Sequence, residues 1–233
     1  MRNATDIIVL LDRSGSMATV KTDMEGGYKT YLEGLRAQPG EATVTLMQFD
    51  APNLGNSLYT VGHLSPFPQS QDDWFQVCYT ACPLAAAPAL TLHPRGGTAL
   101  LDAMSRAIDL TGERLRAMPE PQRPAKVLFI TITDGEENSS VFTTTFQLRA
   151  KIEHQTGIYK WDFIYLGANQ DSFAQAGAIG INLANVGNYQ KTSGGIRGMY
   201  AAAVCSTNMT RSGGGAALPT DQDGNLPEQQ PAP

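Results

Sequence analysis

The amino-acid sequence predicts an α/β protein with a doubly wound, mostly parallel central sheet, one antiparallel edge strand, and helices on both faces. Three observations carry this expectation. First, the runs Ile7-Ile8-Val9-Leu10-Leu11 and Val127-Leu128-Phe129-Ile130-Thr131-Ile132-Thr133 are apolar and rich in β-branched residues. Such runs read as strands buried on both faces, which belong to parallel sheets covered by helices. Second, strand and helix signals alternate along the chain, the order of a doubly wound sheet. Third, the alternating segment Ala42 to Phe49 is followed by the turn Pro52-Asn53-Leu54-Gly55-Asn56 and a second run, Ser57 to Leu64. Together they read as a hairpin that supplies the antiparallel edge.

Taken in order, the first strand spans Asp6 to Leu11. A helix over Thr22 to Ala37 places Met24, Tyr28, Tyr31, Leu32 and Leu35 at helical spacing, and Pro39-Gly40 ends it. Residues 65–94 are irregular, opened by Ser65-Pro66-Phe67-Pro68 and punctuated by Pro88 and Pro94. This stretch reads as an insertion near a site rim, with a partly helical segment from Trp74 to Ala87. Its Trp74, Phe75 and Tyr79 are either a partner contact or a satellite core. From Thr98 to Leu115 a helix buries Leu101, Met104, Ala107, Ile108 and Leu115. The Val127 strand follows, then a helix over Thr144 to Gln155, a strand over Trp161 to Leu166 and a helix over Asp171 to Ala178. A strand over Ile181 to Val186 and a last helix over Gly194 to Asn208 complete a single domain over residues 1–210. Residues 211–233, rich in Gly, Pro and Gln, read as a flexible tail.

Composition narrows the function. The 233 residues, 42% hydrophobic and 17% charged, suffice for one good-sized core. A formal net charge of −5 and the lack of any Lys/Arg run argue against a nucleic-acid binder. No stretch approaches the ~18 apolar residues of a membrane span. The apolar run at the start is itself a strand, not the core of a signal peptide, so a cytoplasmic location is expected. Cys78, Cys82 and Cys205 read as reduced thiols, with no second Cys or His pair to complete a zinc site.

The chemistry concentrates where ligands of open α/β sheets bind, at the carboxyl ends of the strands. Asp12-Arg13-Ser14-Gly15-Ser16 directly follows the first strand. In an extended segment Asp12, Ser14 and Ser16 point the same way, and ligation by oxygen alone suits a hard cation such as Mg²⁺. Arg95-Gly96-Gly97-Thr98 reads as a loop that delivers Thr98 at a helix start, and Asp134-Gly135 closes the second buried strand. Gly15 and Gly135 read as tight turns beside the ion, and Arg13 and Met17 as rim residues. Asp102 is either close to the metal ligands or a helix-surface charge, Glu136 and Glu137 face solvent, and Asp50 lies at a strand end outside the pattern. The calcium-loop hint at Asp221-Gln222-Asp223-Gly224-Asn225 departs from the glycine position of a true EF-hand loop and reads as chance.

On these three segments the chain resembles the von Willebrand factor type A family, a Rossmann-like fold, over roughly residues 4–210. That family's metal-ion-dependent adhesion site is an Asp-x-Ser-x-Ser segment with a distant Thr and a distant Asp, matched here by Asp12, Ser14, Ser16, Thr98 and Asp134. The resemblance implies a bound Mg²⁺ or Mn²⁺ that keeps a coordination position open for an Asp or Glu of a partner protein. It implies an intracellular bacterial or phage member, of a kind that works beside AAA+ ATPases, kinases or phosphatases. An enzyme is not expected. His63, His93 and His154 sit at no strand end beside the metal segment, and neither a Gly-x-Ser-x-Gly elbow nor a phosphate loop is present. The position two residues after Asp12, where aspartate-based phosphotransferases carry a second carboxylate, holds Ser14. The alternatives are a structural or assembly component, cellular or phage, with a fold-stabilising metal, and a metal-dependent phosphohydrolase.

Overall fold

The computed structural model describes residues 2–51, 74–168 and 172–229. In chain order its elements are β1 (Arg2–Asp12), α1 (Lys21–Arg36), β2 (Glu41–Phe49), β3 (Phe75–Pro83), α2 (Leu100–Ala117), β4 (Pro124–Thr133), α3 (Thr145–Tyr159), β5 (Asp162–Gly167), α4 (Ser172–Ala178), β6 (Val186–Asn188) and α5 (Ser193–Arg211). Among the described residues, six strands form one sheet in the order β3-β2-β1-β4-β5-β6. Every neighbouring pair is parallel except β2 with β3. This is the expected mixed sheet with helices on both faces.

The central strand shows why the sequence folds this way. Ile7, Val9 and Leu11 of β1 join a core with α1 and α5, while Ile8 and Leu10 join a second core with α2 and α3. All five are at most 1% exposed, which is what an uninterrupted apolar run demands. The predicted stripe of α1, namely Met24, Tyr28, Tyr31, Leu32 and Leu35, is buried against the first core. Thr144 caps α3 with a reciprocal bond to Gln147, a capping box that satisfies two backbone donors of the first turn. At the amino end of the sheet, buried Asp6 accepts bonds from Arg114 of α2 and from Thr43 Oγ1 of β2, tying one helix layer to two strands.

The edge differs from expectation. The strand paired antiparallel with β2 is β3, at Phe75–Pro83; the predicted run Ser57 to Leu64, its turn Pro52 to Asn56, and residues 65–73 lie outside the described residues. The segment Trp74 to Ala87, expected to be partly helical, is mostly strand, with a single helical turn at Leu84–Ala86. The alanines at 85–87 favour the helical turn, whereas Phe75, Val77, Tyr79 and Thr80 favour a strand, and the open hydrogen-bonding edge of β2 receives it. The pairing is irregular, with register shifts beside Leu46 and a positive φ of 45° at Ala81, whose N–H is taken by Thr45 Oγ1. Trp74 and Phe75 fold down as core, at 1% and 8% exposed, under the Arg106 guanidinium. The strand expected over Ile181 to Val186 is a helical turn at Leu183–Asn185 followed by the short β6.

Beyond α5, Leu218 and Leu226 are buried. Asn188 of β6 donates to Gly224 O at 2.9 Å, Leu226 N donates to Asn188 O at 2.7 Å, and Gln229 N donates to Gly194 O at 3.0 Å. No helix of the described residues is long and apolar enough to cross a membrane. The three cysteines are free thiols.

The α1–α5 seam generates a paired prediction. A Cβ on Gly27 would lie 2.2 Å from the Tyr200 ring, whereas one on Gly26 would meet nothing within 4 Å. Gly26→Ala is expected to stabilise the protein by about 0.5–1 kcal/mol through helix propensity. Gly27→Ala, with the same propensity gain, is expected to lose roughly 1–3 kcal/mol through overpacking. Denaturant unfolding of the two variants checks the opposite signs.

Candidate functional site

Three loops meet at the carboxyl ends of β1 and β4, neighbouring strands from which the chain departs to opposite sides of the sheet. Clefts of open α/β sheets form at such switch points. The loops are bonded directly to one another. Gly15 N donates to Gly96 O at 3.0 Å, Arg95 N to Arg13 O at 2.8 Å, and Asn138 N to Thr98 O at 3.1 Å. Thr98 N in turn donates to Asn138 Oδ1 at 2.9 Å.

The five residues singled out in the sequence come together here. Ser14 and Ser16 hydroxyl oxygens are 3.1 Å apart, and Ser16 Oγ donates to Asp134 Oδ1 at 2.6 Å. A Cβ on Gly135 would lie 3.2 Å from Thr98 Oγ1 and 3.8 Å from Ser16 Oγ, so the two hydroxyls converge on one spot and Gly135 leaves room for them. Asp12 lies beneath, fully buried. Its Oδ1 accepts from Ser14 N at 2.6 Å and its Oδ2 from Thr133 Oγ1 at 2.7 Å. Burial pushes the Asp12 carboxyl up to about 6, against the lowering by the Thr133 and Ser14 bonds; the nearby Asp134 charge adds to the rise. The phenol of Tyr189 is held well above its usual range by burial and then by the Asp134 and Asp12 charges. It donates to Thr133 O at 3.2 Å.

Asp134 carries one carboxylate oxygen with no hydrogen-bond donor. Its Oδ2 is buried and accepts no aligned hydrogen bond. Lys191 Nζ, on the linker between β6 and α5, lies 3.0 Å from it as an ion pair. A buried carboxylate oxygen that lacks a hydrogen bond and meets only a side-chain ammonium, beside three convergent hydroxyls, fits a hard cation with mixed carboxylate and hydroxyl ligands. Asp134, Ser14, Ser16 and Thr98 would face the ion. Asp12, with both oxygens engaged by protein donors, would act through the serine backbone and water. Among the described residues there is no cluster of three or more His, Cys, Asp or Glu side chains for a metal; the site has two carboxylates, and its other oxygens are hydroxyls.

Several neighbours differ from their expected roles. Arg13 and Met17 are not rim residues. Met17 is core, and Arg13, 5% exposed, donates from Nε to Asp50 Oδ2 at 2.9 Å and from Nη1 to Gln76 at 2.7 Å. Asp50 also accepts from Arg95 Nε at 2.7 Å. Burial raises its carboxyl while the two arginines oppose the rise. This buried bridge fixes the loops flanking Ser14 and Thr98. Asp102, weighed as a metal neighbour or a surface charge, is neither. Its buried carboxylate, raised by burial, accepts the backbone N–H groups of Val141, Phe142 and Thr143.

Glu137, expected in solvent, caps the Thr98 helix. The first turn of α2 has no cap of its own, and Glu137 Oε2 accepts from Leu101 N at 2.9 Å. Its Oε1 accepts from Ser139 N and Ser140 N at 2.9 and 2.7 Å. The capping signal was hidden because it comes from a loop 36 residues away, not from the residues before the helix. Glu137→Ala is expected to cost about 1–2 kcal/mol, the range for a lost cap, and to weaken divalent-cation binding by loosening Thr98. Glu136→Ala, at an exposed neighbour, is expected to change neither. Thermal unfolding and calorimetric titration with Mn²⁺ compare the two.

No protein-family model matches this chain. No characterised protein matches it by sequence either. Solved structures do match. The proximal thread matrix protein 1 from the mussel byssus superposes with a TM-score of 0.54 at 14% identity, over 86% of this chain and 47% of that one. A von Willebrand factor type A protein from Catenulispora acidiphila gives 0.53 at 18% identity, over 87% and 42%. The pilus adhesin SpaC from Lactobacillus rhamnosus GG, in an open conformation, gives 0.52 at 11% identity, over 86% and 29%. The chain thus spans less than half the length of each. At these identities the likeness is one of fold, and the fold that this chain shares is that of the von Willebrand factor type A domain.

Proposed function

We propose that the protein is a binding module that recruits a partner protein through a divalent cation, Mg²⁺ or Mn²⁺, held by Asp12, Ser14, Ser16, Thr98 and Asp134. The observation that carries this is the convergence of Ser14, Ser16 and Thr98 on Asp134, whose second oxygen is buried without a hydrogen bond. A bound ion would supply positive charge with a position open to an Asp or Glu of the partner. Ser14, Ser16, Thr98 and Asp134 would hold the ion, and the bonds among their loops keep these four side chains together. Exposed apolar side chains on the segment after Asp134, Val141 at 48% and Phe146 at 81%, offer the non-polar contact a protein interface uses. The shared fold of a matrix protein and a pilus adhesin supports binding over catalysis. An AAA+ ATPase, kinase or phosphatase system in the cytoplasm is the partner class that the family resemblance favours.

A fold-stabilising metal is the second reading. The direct bonds among the three loops speak against it, because they hold the site together by themselves. The test is affinity capture from native lysate with Mg²⁺ and then with EDTA, using wild type and Asp134→Ala. A partner retained only by wild type with Mg²⁺, and a fold that survives chelation by circular dichroism, is the expected result. Loss of the fold on chelation would establish the structural metal instead. With metal at a hundredfold excess over its Kd, binding to the native state is expected to add about 2.7 kcal/mol of stability, read as a shift in Tm.

A further inference from the structure

The Lys191–Asp134 contact has no counterpart among the five site residues and lies on a linker that the sequence leaves unassigned. Asp134 is fully buried, yet its Oδ2 receives only the Lys191 ammonium, at 3.0 Å and without hydrogen-bond alignment. The Lys191 side chain is 38% exposed, while the Asp134 side chain it reaches is buried. The linker is aimed by its neighbours. Tyr189 donates to the carbonyl of Thr133, the residue before Asp134, and Thr192 caps α5 by accepting from Gly195 N at 3.0 Å. Lys191 is thus held between two anchored residues and directed at one carboxylate oxygen.

A buried carboxylate needs a positive partner, and a flexible ammonium is one that can be exchanged. We propose that Lys191 is an internal competitor for the divalent cation: its ammonium neutralises Asp134 in the metal-free protein and must give way when the ion binds. Lys191 therefore lowers the affinity of the site and keeps the metal-free loops together. This rests on the reading of the site as a divalent-cation site. The ion and the ammonium repel each other at such separations, so removing the ammonium strengthens metal binding at the cost of the metal-free state.

The experiment uses the full chain as wild type, Lys191→Met, Lys191→Arg and Asp134→Asn. Mn²⁺ and Mg²⁺ are titrated calorimetrically, and Tm is recorded in EDTA and in saturating Mn²⁺. Lys191→Met is expected to bind Mn²⁺ about tenfold or more tighter than wild type, the scale of one opposing unit charge removed at close range. Its Tm is expected to be lower than wild type in EDTA, with the gap closing in Mn²⁺. Lys191→Arg, which keeps the charge, is expected to stay close to wild type, and Asp134→Asn to lose binding. Wild-type Mn²⁺ binding with no gain in Lys191→Met, or an equal gain in Lys191→Arg, overturns the competitor role and leaves the metal reading standing. An absence of binding in both wild type and Lys191→Met overturns the metal reading, and the competitor role with it.

Discussion

Two carboxylates buried side by side at the ends of adjacent strands are the constraint on which the rest of this structure depends. Asp12 ends β1 and Asp134 directly follows β4, the two central strands, whose flanks are closed by helices. Removing each charge from water costs on the order of several kcal/mol unless donors or counter-charges answer it. The surrounding residues divide that task. Asp12 is answered by a backbone N–H and the Thr133 hydroxyl; Asp134 is answered by Ser16 on one oxygen and by a positive charge on the other. The need for positive charge at Asp134 Oδ2 is answered in this structure by the Lys191 ammonium.

Donors and hydroxyls are useful only if they stay in place, and here the loops are held by further carboxylates. Asp50 bridges Arg13 and Arg95 behind the Ser14 and Thr98 loops. Glu137 caps α2, and Asp102 at the start of α2 holds the loop over residues 141–143. These contacts cross between segments that are far apart in sequence. Each loop is stabilised by a group from another, so the three form one unit at the carboxyl ends of the central strands. Such cross-supported geometry is what a binding site requires to present its ligands without reorganising.

How far the sequence could be read depended on where the relevant information lies. The core of the sheet was legible from β1 and β4, because strands buried on both faces read as near-continuous apolar runs. The stripe of α1 was legible from helical spacing. β3 was not, because its pairing with β2 shifts register beside Leu46 and bulges at Ala81, so it has no clean alternation. Leu183 to Asn185 likewise form a turn where apolar residues suggested a strand.

The α/β alternation, the two buried strands and the five oxygen-bearing side chains, at strand ends and before α2, could be read from the chain alone. Local chemistry suffices for these, since burial, periodicity and the side chain at a strand terminus are properties of short segments. Only the tertiary structure decided which charges meet. Arg13 turned inward to Asp50, Glu137 became the cap of a helix 36 residues away, and Lys191 reached Asp134 across the width of two strands. Long, flexible charged side chains have no preferred partner in a linear chain. The packing of the sheet and helices brings them within reach, and the cost of an unpaired buried charge selects the pairs that form.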